Sequence, residues 1–388
     1  MPQWSPLLEH PQHFKISIIY TQISRNKNNS PKFQNFYWNY DSTRYFYPAS
    51  LVKLPIGIMA LEKLKSLKEL GITKDTKMVS DSAYPCQKKI ETDSTSENFY
   101  PSIGQYIRRM FLVSDNFAFS RLYEFLGYDF IHDRMKQWGF PGAHIANRLD
   151  PACKGDTSKI CAPIAFLNTA GDTLFAQKIQ YFHERNKPQR VGFKVGKFHT
   201  NDTGKRIPGP RDFSSHNCLS LGNLNEMMKR LVFFNYPESI RYHYNLGEED
   251  SKFLMNFLGM YPRESDFPKY SDSKIYYDSF KKIFVYGCAT PQIATDSLRL
   301  FNVIGRAYGF LSDCAYIVDY DKKIEFLLSA VIYVNEKNCI GCGKYEYEKT
   351  GYPFLKDLSL AIYNYEMHRK LKYPPQLNEF RLGESKVK

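Results

Sequence analysis

Residues 45–64 have the sequence YFYPASLVKLPIGIMALEKL, and this stretch decides the fold of the chain. Apolar residues recur after Ser50 at three- and four-residue spacing, namely Leu54, Ile58, Leu61 and Leu64. This period predicts an amphipathic helix that begins near Ser50, and Gly71 is placed to end it. The start of that helix carries the pattern S-x-x-K.

Ser50 and Lys53 are the two polar residues of this pattern. Residues three apart on a helix face the same side, so the two side chains can meet. A helix N-terminus favours developing negative charge, and a desolvated lysine loses its proton more easily and can serve as a base toward a serine. The pattern also fits a helix cap with a surface lysine, so it does not decide the function by itself.

A second motif lies 64 residues after Ser50, where Ser114-Asp115-Asn116 follows an apolar segment. In this order and at this interval the two motifs resemble those of the serine β-lactamase and penicillin-binding-protein superfamily, whose motif set is S-x-x-K, S-D-N and K-T-G. The sequence of residues 111–127, FLVSDNFAFSRLYEFLG, is similar to the class A branch and to related serine hydrolases. The resemblance covers about residues 14–150 and 285–372.

The resemblance implies a role for each residue of the first two motifs. Ser50 would be the nucleophile that forms a covalent acyl-enzyme, and Lys53 would take its proton. Ser114 would relay a proton to the leaving group, while Asn116 would orient the substrate amide and the Lys53 side chain. Water would then cleave the acyl-enzyme.

The third motif departs from the family. Counted back from the C-terminal hairpin, it falls on Val303-Ile304-Gly305, so valine replaces the lysine and isoleucine replaces the hydroxyl residue. In the family this lysine holds the substrate carboxylate and adds positive charge beside the nucleophile, and Arg306 or another cation is the candidate to compensate. By the same alignment the backbone N–H groups of Arg306 and Ser50 would form the oxyanion hole.

A fourth match concerns deacylation. Class A β-lactamases carry an R-x-E-P-like stretch whose glutamate activates the deacylating water, and here RLDP at 148–151 lies at a similar place, with Asp150 35 residues beyond Asp115. The resemblance implies that Asp150, one methylene shorter, is the base, and Lys154 stands where the family has asparagine. The alternative is a turn aspartate before proline.

The periodicity predicts strands at both ends of the chain and helices in its middle. The expected strands are 14–23, 33–40, 308–319 and 324–335, and the expected helices are 50–70, 101–126, 220–234, 250–260 and 354–372. This order indicates an α+β fold, and the resemblance implies a β-lactamase/transpeptidase-like antiparallel sheet flanked by helices, with a mostly helical second lobe. We expect one catalytic domain over 1–388: a sheet lobe of 14–49 and 285–372, and a helical lobe of 50–284 with an irregular insertion at about 151–215.

The composition excludes several other classes. The 388 residues are 43% apolar, enough for a sizeable core, and the net charge of +13 is scattered rather than arranged as in a nucleic-acid-binding module. No nucleotide-binding or H-E-x-x-H motif occurs, so we expect no cofactor and no metal. Among eight cysteines, the lone C-x-x-C at 339–342 fits a disulfide or two free thiols better than a zinc site.

Two hypotheses follow. The first is a serine hydrolase that acts through an acyl-enzyme on a β-lactam, a peptidoglycan peptide or a small ester. The second is a non-catalytic member of the superfamily that serves binding or scaffolding, which Val303 and Ile304 suggest. We expect a small-molecule or peptide substrate, with cell-envelope peptidoglycan as a candidate, and neither nucleic acid nor a transmembrane segment. The expected location is periplasmic or exported, with the leader absent from this sequence, while a cytoplasmic location stays open.

Overall fold

The computed structural model describes residues 2–149, 160–181, 191–201, 203–239, 243–288 and 294–382. Its α-helices in these ranges are α1 (Ser5–Glu9), α2 (Lys53–Lys65), α3 (Ile103–Val113), α4 (Asn116–Leu126), α5 (Tyr128–Gln137), α6 (Leu221–Val232), α7 (Glu248–Gly259) and α8 (Tyr352–His368). A 3₁₀ turn, Ala49–Val52, leads directly into α2. The helical middle and the closing helix agree with the periodicity of the sequence.

The strands fall into a long and a short group. The long strands are β1 (Ser17–Arg25), β2 (Pro31–Trp38), β12 (Leu298–Ala307), β13 (Phe310–Asp319) and β14 (Ile324–Tyr333). The short strands are β3 (Lys77–Ser80), β4 (Ile160–Cys161), β5 (Ile164–Leu167), β6 (Thr173–Gln177), β7 (Gln180–Tyr181), β8 (Lys194–Val195), β9 (Phe198–Thr200), β10 (Arg206–Pro208), β11 (Arg211–Asp212) and β15 (Cys339–Ile340). Where it is described, the insertion predicted to be irregular therefore contains short strands.

The five long strands form one antiparallel sheet in the order β12-β13-β14-β1-β2. The two ends of the chain meet in its middle, where Ser17 of β1 lies opposite Val331 of β14. All four predicted strands are present, each within about three residues of its expected bounds. The α+β fold with a sheet built from both chain ends is thereby confirmed.

The edge strand β12 is the main element that the sequence analysis missed. Its ten residues, LRLFNVIGRA, show no clean alternation because both of its faces are covered. Phe301 and Val303 pack toward the helices of the middle segment, whereas Leu300 and Ile304 pack on the opposite side of the sheet. A strand covered on both faces loses the polar–apolar period that would have revealed it.

Two of the predicted helices have different bounds. The helix expected over 50–70 ends at Lys65, and a separate 3₁₀ turn follows before Gly71, whose φ of +73° closes that turn. The single helix expected over 101–126 is two helices, α3 and α4, because Ser114 takes a left-handed backbone conformation between them. This break places the second motif at a helix junction.

Apolar side chains form a core on each face of the sheet. The larger cluster lies between the sheet and helices α2 to α7 and includes Leu51, Val52 and Phe301. The smaller cluster lies under α8 and includes Phe354 and Leu355. β1 contributes to both clusters, so it is buried on two faces.

The C-x-x-C pair forms a disulfide between Cys339 and Cys342, which agrees with the first of the two states expected for it. Cys339 lies in β15, which pairs in parallel with β9 of the insertion. Among the helices of the described residues, none is long and apolar enough to cross a membrane.

Candidate active site

Ser50 lies in the 3₁₀ turn that precedes α2. Its neighbours Leu51 and Val52 are fully buried in the larger core, whereas Ser50 itself stays partly exposed. Ala49 before it has a φ of +46°, a strained value for a residue with a Cβ atom. The core therefore fixes the turn in an uncommon conformation that presents Ser50 at the surface.

The Ser50 hydroxyl does not cap the helix and Lys53 is buried, so the alternative interpretation of S-x-x-K as a helix cap with a surface lysine is wrong. The residue at the N-cap of the 3₁₀ turn is Pro48, which has no side chain that can cap, and the first side-chain partner of Ser50 is Lys53. Because the hydroxyl makes no capping bond, its removal has no capping energy to lose.

Lys53 connects the first two motifs. Its Nζ lies 2.8 Å from Ser50 Oγ, 2.9 Å from Ser114 Oγ and 2.7 Å from Asn116 Oδ1, and it also donates to the Ser114 carbonyl. The side chain is almost fully buried, at 1% exposure, although it carries an amine. Three polar residues from the two separate motifs, Ser50, Ser114 and Asn116, therefore meet around the side-chain nitrogen of Lys53.

The α3–α4 junction positions the second motif. Ser114 ends α3 with a φ of +60°, and Asp115 caps α4 by accepting a hydrogen bond from the backbone N–H of Ala118 at 3.0 Å. Arg109 of α3 holds the same carboxylate at 2.8 Å. This ion pair closes the junction, and Ser114 and Asn116 on either side of Asp115 then face Lys53.

The environment of Lys53 lowers the pKa of its amine to about 7, mainly because burial disfavours the charged form. The carboxylate of Asp115 opposes this shift, and the charge of Lys281 adds to it. Near neutral pH a large fraction of Lys53 is therefore a neutral amine within hydrogen-bond distance of the Ser50 hydroxyl, which is the geometry that a general base requires.

Strand β12 lies directly against the turn that carries Ser50. A Cβ atom on Gly305 would lie 2.5 Å from the Pro48 carbonyl oxygen and 3.1 Å from Leu51 Cγ. Real Cβ atoms do not approach so closely, so only glycine allows this contact. The glycine kept from the third motif thus brings the edge of the sheet next to Ser50.

The free edge of β12 offers backbone donors beside Ser50. The carbonyls of Leu300 and Asn302 point to this outer edge, where they accept hydrogen bonds from lysine side chains. In an antiparallel strand the outward-pointing backbone groups recur at every second residue, so the N–H of Arg306 also lies on this edge. The N–H of Ser50 stands at a helix start, where no carbonyl of the same helix is available. Both N–H groups expected to form the oxyanion hole are therefore on adjoining elements.

The side chains of the third motif lie on different faces of the sheet. Val303 is 4% exposed and belongs to the larger core, whereas Ile304 packs on the opposite face. The Arg306 guanidinium donates to the Tyr352 hydroxyl at 2.7 Å, at the start of α8. Arg306 therefore points away from the face of Val303, and its side chain does not replace the missing lysine.

The proposed deacylation base, Asp150, lies outside the described residues, as does Lys154. The segment that leads to it is anchored, because Arg148 donates to a carboxylate oxygen of Glu124 on α4 at 2.7 Å. The position of Asp150 relative to Ser50 stays a prediction.

Sequence reasoning missed Lys281. It is buried beside the edge of β12, and its charge acts on Lys53. The sequence does contain a feature that could have indicated a buried lysine here. In the run YDSFKKIFVYG at 277–287, two adjacent lysines interrupt aromatic and apolar residues. Charged residues inside such a run are candidates for buried, functional cations.

Comparison with known proteins places this geometry in a family context. Residues 10–173 match the model of the β-lactamase enzyme family Beta-lactamase2. No curated protein matches the chain. Together with the fold, the match confirms the resemblance to the serine β-lactamase and penicillin-binding-protein superfamily that the motifs indicated.

Solved structures similar to this chain include three β-lactamases. The enzyme from Xanthomonas campestris pv. campestris is 10% identical, with 94% of this chain and 96% of that chain covered and a TM-score of 0.51. The enzyme from Sphaerobacter thermophilus is 11% identical, with 92% and 96% covered and a TM-score of 0.48. The enzyme from Desulfarculus baarsii is 11% identical, with 92% and 95% covered and a TM-score of 0.46. At such identity the likeness to the Xanthomonas protein shows a shared fold.

Proposed function

We propose that this protein is a serine hydrolase that cleaves an ester or amide through an acyl-enzyme on Ser50. The observation that carries the proposal is the position of Lys53 Nζ, within 2.9 Å of Ser50 Oγ, Ser114 Oγ and Asn116 Oδ1, in a buried environment that lowers the pKa of the amine. A solvated lysine on a helix surface would have neither these contacts nor this pKa.

The reaction begins when Lys53 takes the proton of Ser50 and Ser50 Oγ attacks the substrate carbonyl. The oxyanion receives hydrogen bonds from the backbone N–H groups of Ser50 and Arg306, each of which contributes on the order of 3 kcal/mol to transition-state stabilisation. Ser114 returns a proton from Lys53 to the leaving group, and Asn116 holds the substrate amide. Water then cleaves the acyl-enzyme, with Asp150 as the proposed base.

The walls of the site favour an uncharged acyl group. Val303 places an apolar side chain where the superfamily has a lysine, whereas Ile304, which stands in place of the hydroxyl residue, packs on the opposite face of the sheet. Next to the Ser50 turn, Tyr47 packs edge-on against Tyr308 with ring centroids 5.0 Å apart. We therefore propose a small neutral ester as a better substrate than a carboxylate-bearing β-lactam, with a peptidoglycan peptide as a further candidate.

The domain organisation and the location of the protein are part of the same proposal. The chain would act as one catalytic domain over 1–388, with the sheet lobe and the helical lobe on either side of Ser50. Because the superfamily acts on cell-envelope substrates and β-lactams, we propose a periplasmic or exported location.

The test is detection of the covalent intermediate. The purified protein is exposed separately to a fluorophosphonate, to benzylpenicillin and to p-nitrophenyl acetate, and its intact mass is measured. We expect a stoichiometric fluorophosphonate adduct on Ser50 and a transient acetyl adduct. Ser50→Ala should give neither adduct while its thermal unfolding changes little, since the hydroxyl caps no helix. A folded wild-type protein that forms no adduct with any of the three reagents would support the binding or scaffold alternative.

A further inference from the structure

The segment before β12 covers part of the free edge of that strand with two lysines. Lys281 Nζ donates to the carbonyl of Asn302 at 3.0 Å. Lys282 Nζ donates to the carbonyls of Leu258 and Leu300 and to Asn302 Oδ1, at 2.8, 2.6 and 2.9 Å. Both side chains are buried. The lysines thus cover the edge at Leu300 and Asn302.

The two lysines differ in how many of their donors are used. An ammonium group has three N–H donors, and each donor of Lys282 has an acceptor. Lys281, by contrast, has Asn302 as its one hydrogen-bond acceptor among the described residues. A buried cation with unused donors is costly, and such groups persist mainly where they serve a function. Lys282 therefore has the contacts of a structural residue, whereas Lys281 does not.

The position of Lys281 relates it to the base of the proposed reaction. Asn302, to which it is bonded, is the residue before Val303 and lies three residues before Gly305, which contacts the Ser50 turn. Three residues of a strand span about 10 Å, so Lys281 lies at the edge of the same site. The electrostatic effect of its charge on Lys53 agrees with this placement.

We infer, on the basis of the proposed serine hydrolase, that Lys281 is a positioning residue of the active site that keeps Lys53 as a neutral amine facing Ser50. A positive charge beside Lys53 makes a second positive charge unfavourable, so Lys53 gives up its proton and can accept the proton of Ser50. Val303 has no charge where the superfamily has a lysine. In this protein Lys281, which is hydrogen-bonded to the adjacent residue Asn302, supplies that charge.

Other charged groups also act on the pKa values of Lys53 and Lys281. Asp115 at the start of α4 favours the charged form of Lys53, and Arg109 pairs with Asp115 and with Asp93. On the sheet side, Asp313 faces Lys281 and Lys282, and burial raises the pKa of its carboxyl to about 7. Mainly because of burial, the pKa of Lys53 and that of Lys281 are both lowered to about 7; the charge of Lys281 adds to the lowering at Lys53, whereas Asp313 opposes it at Lys281.

The experiment compares Lys281→Met with the wild type. The pH dependence of kcat/KM is measured with p-nitrophenyl acetate, and the titration of Lys53 is followed by NMR in protein labelled with ¹³C at the lysine ε-carbon. We expect the acid limb and the Lys53 titration to move upward together by up to about one pH unit, so that the rate at pH 6 falls by up to about tenfold while the rate at high pH is kept. A purely structural role would lower the rate at all pH values without moving the limb.

Lys63→Met is the matched control, because Lys63 is a half-buried lysine on the same helix, ten residues from Lys53 and thus about 15 Å away. It should leave the acid limb unchanged. The inference is overturned if Lys281→Met folds and both measurements stay at their wild-type values. If that variant does not fold, Lys281→Gln, which keeps a polar group near the Asn302 carbonyl but removes the charge, repeats the comparison, and wild-type values of both measurements in it overturn the inference. Because NMR reads the resting protein, a wild type that forms no acyl-enzyme would refute the proposed hydrolase without removing this test.

Discussion

Lys53 is surrounded by four oxygen atoms and is nonetheless a poor site for a permanent charge. Among the described residues that act on its pKa, Asp115 alone carries negative charge, and Arg109 already pairs with that carboxylate. The remaining contacts are neutral hydroxyl, carbonyl and amide oxygens, which orient an amine but compensate burial only in part. The residue is therefore held in place in both of its protonation states, as proton transfer requires.

The lowered pKa of Lys53 predicts the pH dependence of the reaction. Since the base must be neutral, kcat/KM for p-nitrophenyl acetate should rise as the pH rises through about 7 and then level off. Lys53→Ala should lose nearly as much activity as Ser50→Ala, because residues that act as a unit are not additive. Lys53→Arg keeps the charge but cannot lose a proton, so it serves as the matched control and should also be inactive. The base assignment would be wrong if Lys53→Ala kept most of the activity.

The valine at position 303, where the superfamily has a lysine, predicts which substrates the protein prefers. A charged contact to a carboxylate typically contributes about 1.5–3 kcal/mol, so its absence should weaken penicillin binding by about one to two orders of magnitude. We expect a higher kcat/KM for a small neutral ester than for benzylpenicillin, and a penicillin rate that improves in Val303→Lys.

Val303→Met controls for the added length without charge and should leave the penicillin rate low. The measurement is the steady-state kcat/KM of the wild type, Val303→Lys and Val303→Met with the neutral ester and with benzylpenicillin. If the wild type cleaved benzylpenicillin at a kcat/KM near 10⁶ M⁻¹s⁻¹, within the ordinary range of enzymes, the departure at Val303 would be harmless.

The elements show which part of the site could be predicted from the sequence. Ser50 and Lys53 lie at one helix start, and Ser114 and Asn116 lie at one helix junction, so the local spacing within each pair was enough to group them. The approach of β12 to the Ser50 turn depends on residues more than 250 positions apart, which no local period records. For the same reason the covering of the β12 edge by Lys281 was not predictable from the sequence.

The substitution Gly305→Ala tests the contact between β12 and the turn that carries Ser50. In Gly305→Ala the new methyl group would lie 2.5 Å from the Pro48 carbonyl oxygen and 2.6 Å from Ser312 Oγ, so β12 has to move away from the Ser50 turn. We expect a loss of about 1–3 kcal/mol in the free energy of unfolding, as for overpacked cores, and a loss of activity toward ester and penicillin alike, because the Arg306 N–H moves with the strand.

Gly247→Ala is the matched control for this substitution. Gly247 is the N-cap of α7, has an ordinary φ of −82°, and its nearest neighbour would be 3.9 Å from the new methyl group, so activity should stay near wild type while the poorer cap lowers stability only modestly. Urea unfolding and ester kinetics measure both effects. Wild-type kinetics in a folded Gly305→Ala protein would show that the close approach of β12 is not needed for catalysis.

At the scale of the whole molecule, one sheet made from both chain ends supports a helical middle segment, and the site lies where the two meet. This arrangement follows from the strand and helix periods at the two ends and in the middle of the chain. It also buries several amines at once. Burial lowers the pKa of Lys53 and Lys281 to about 7 and that of Lys63 to about 8, and the pKa of Lys282 lies well below its usual value.

These buried lysines predict that the folded protein gains stability between pH 7 and 8.5. In this window the lysines of the unfolded chain are still protonated, whereas the buried ones have lost protons, so the unfolded state binds more protons and the free energy of unfolding rises with pH. Below pH 7 the opposite contribution of Asp313 begins, since its pKa is raised to about 7. The thiols of the unfolded chain ionise around pH 8.5, while burial raises the pKa of Cys161, Cys288 and Cys314 to about 12, so this opposing contribution ends the window there.

Urea unfolding at pH 7.0 and 8.5, followed by circular dichroism, should give the higher midpoint at pH 8.5. Lys63→Met removes one of the titrating amines without touching the active site, so its midpoint should rise less between the two pH values. A wild-type midpoint that falls over this interval would mean that the buried lysines keep their protons. In that case Lys53 could not act as the base near neutral pH, and the acid limb of the ester reaction would lie well above pH 7.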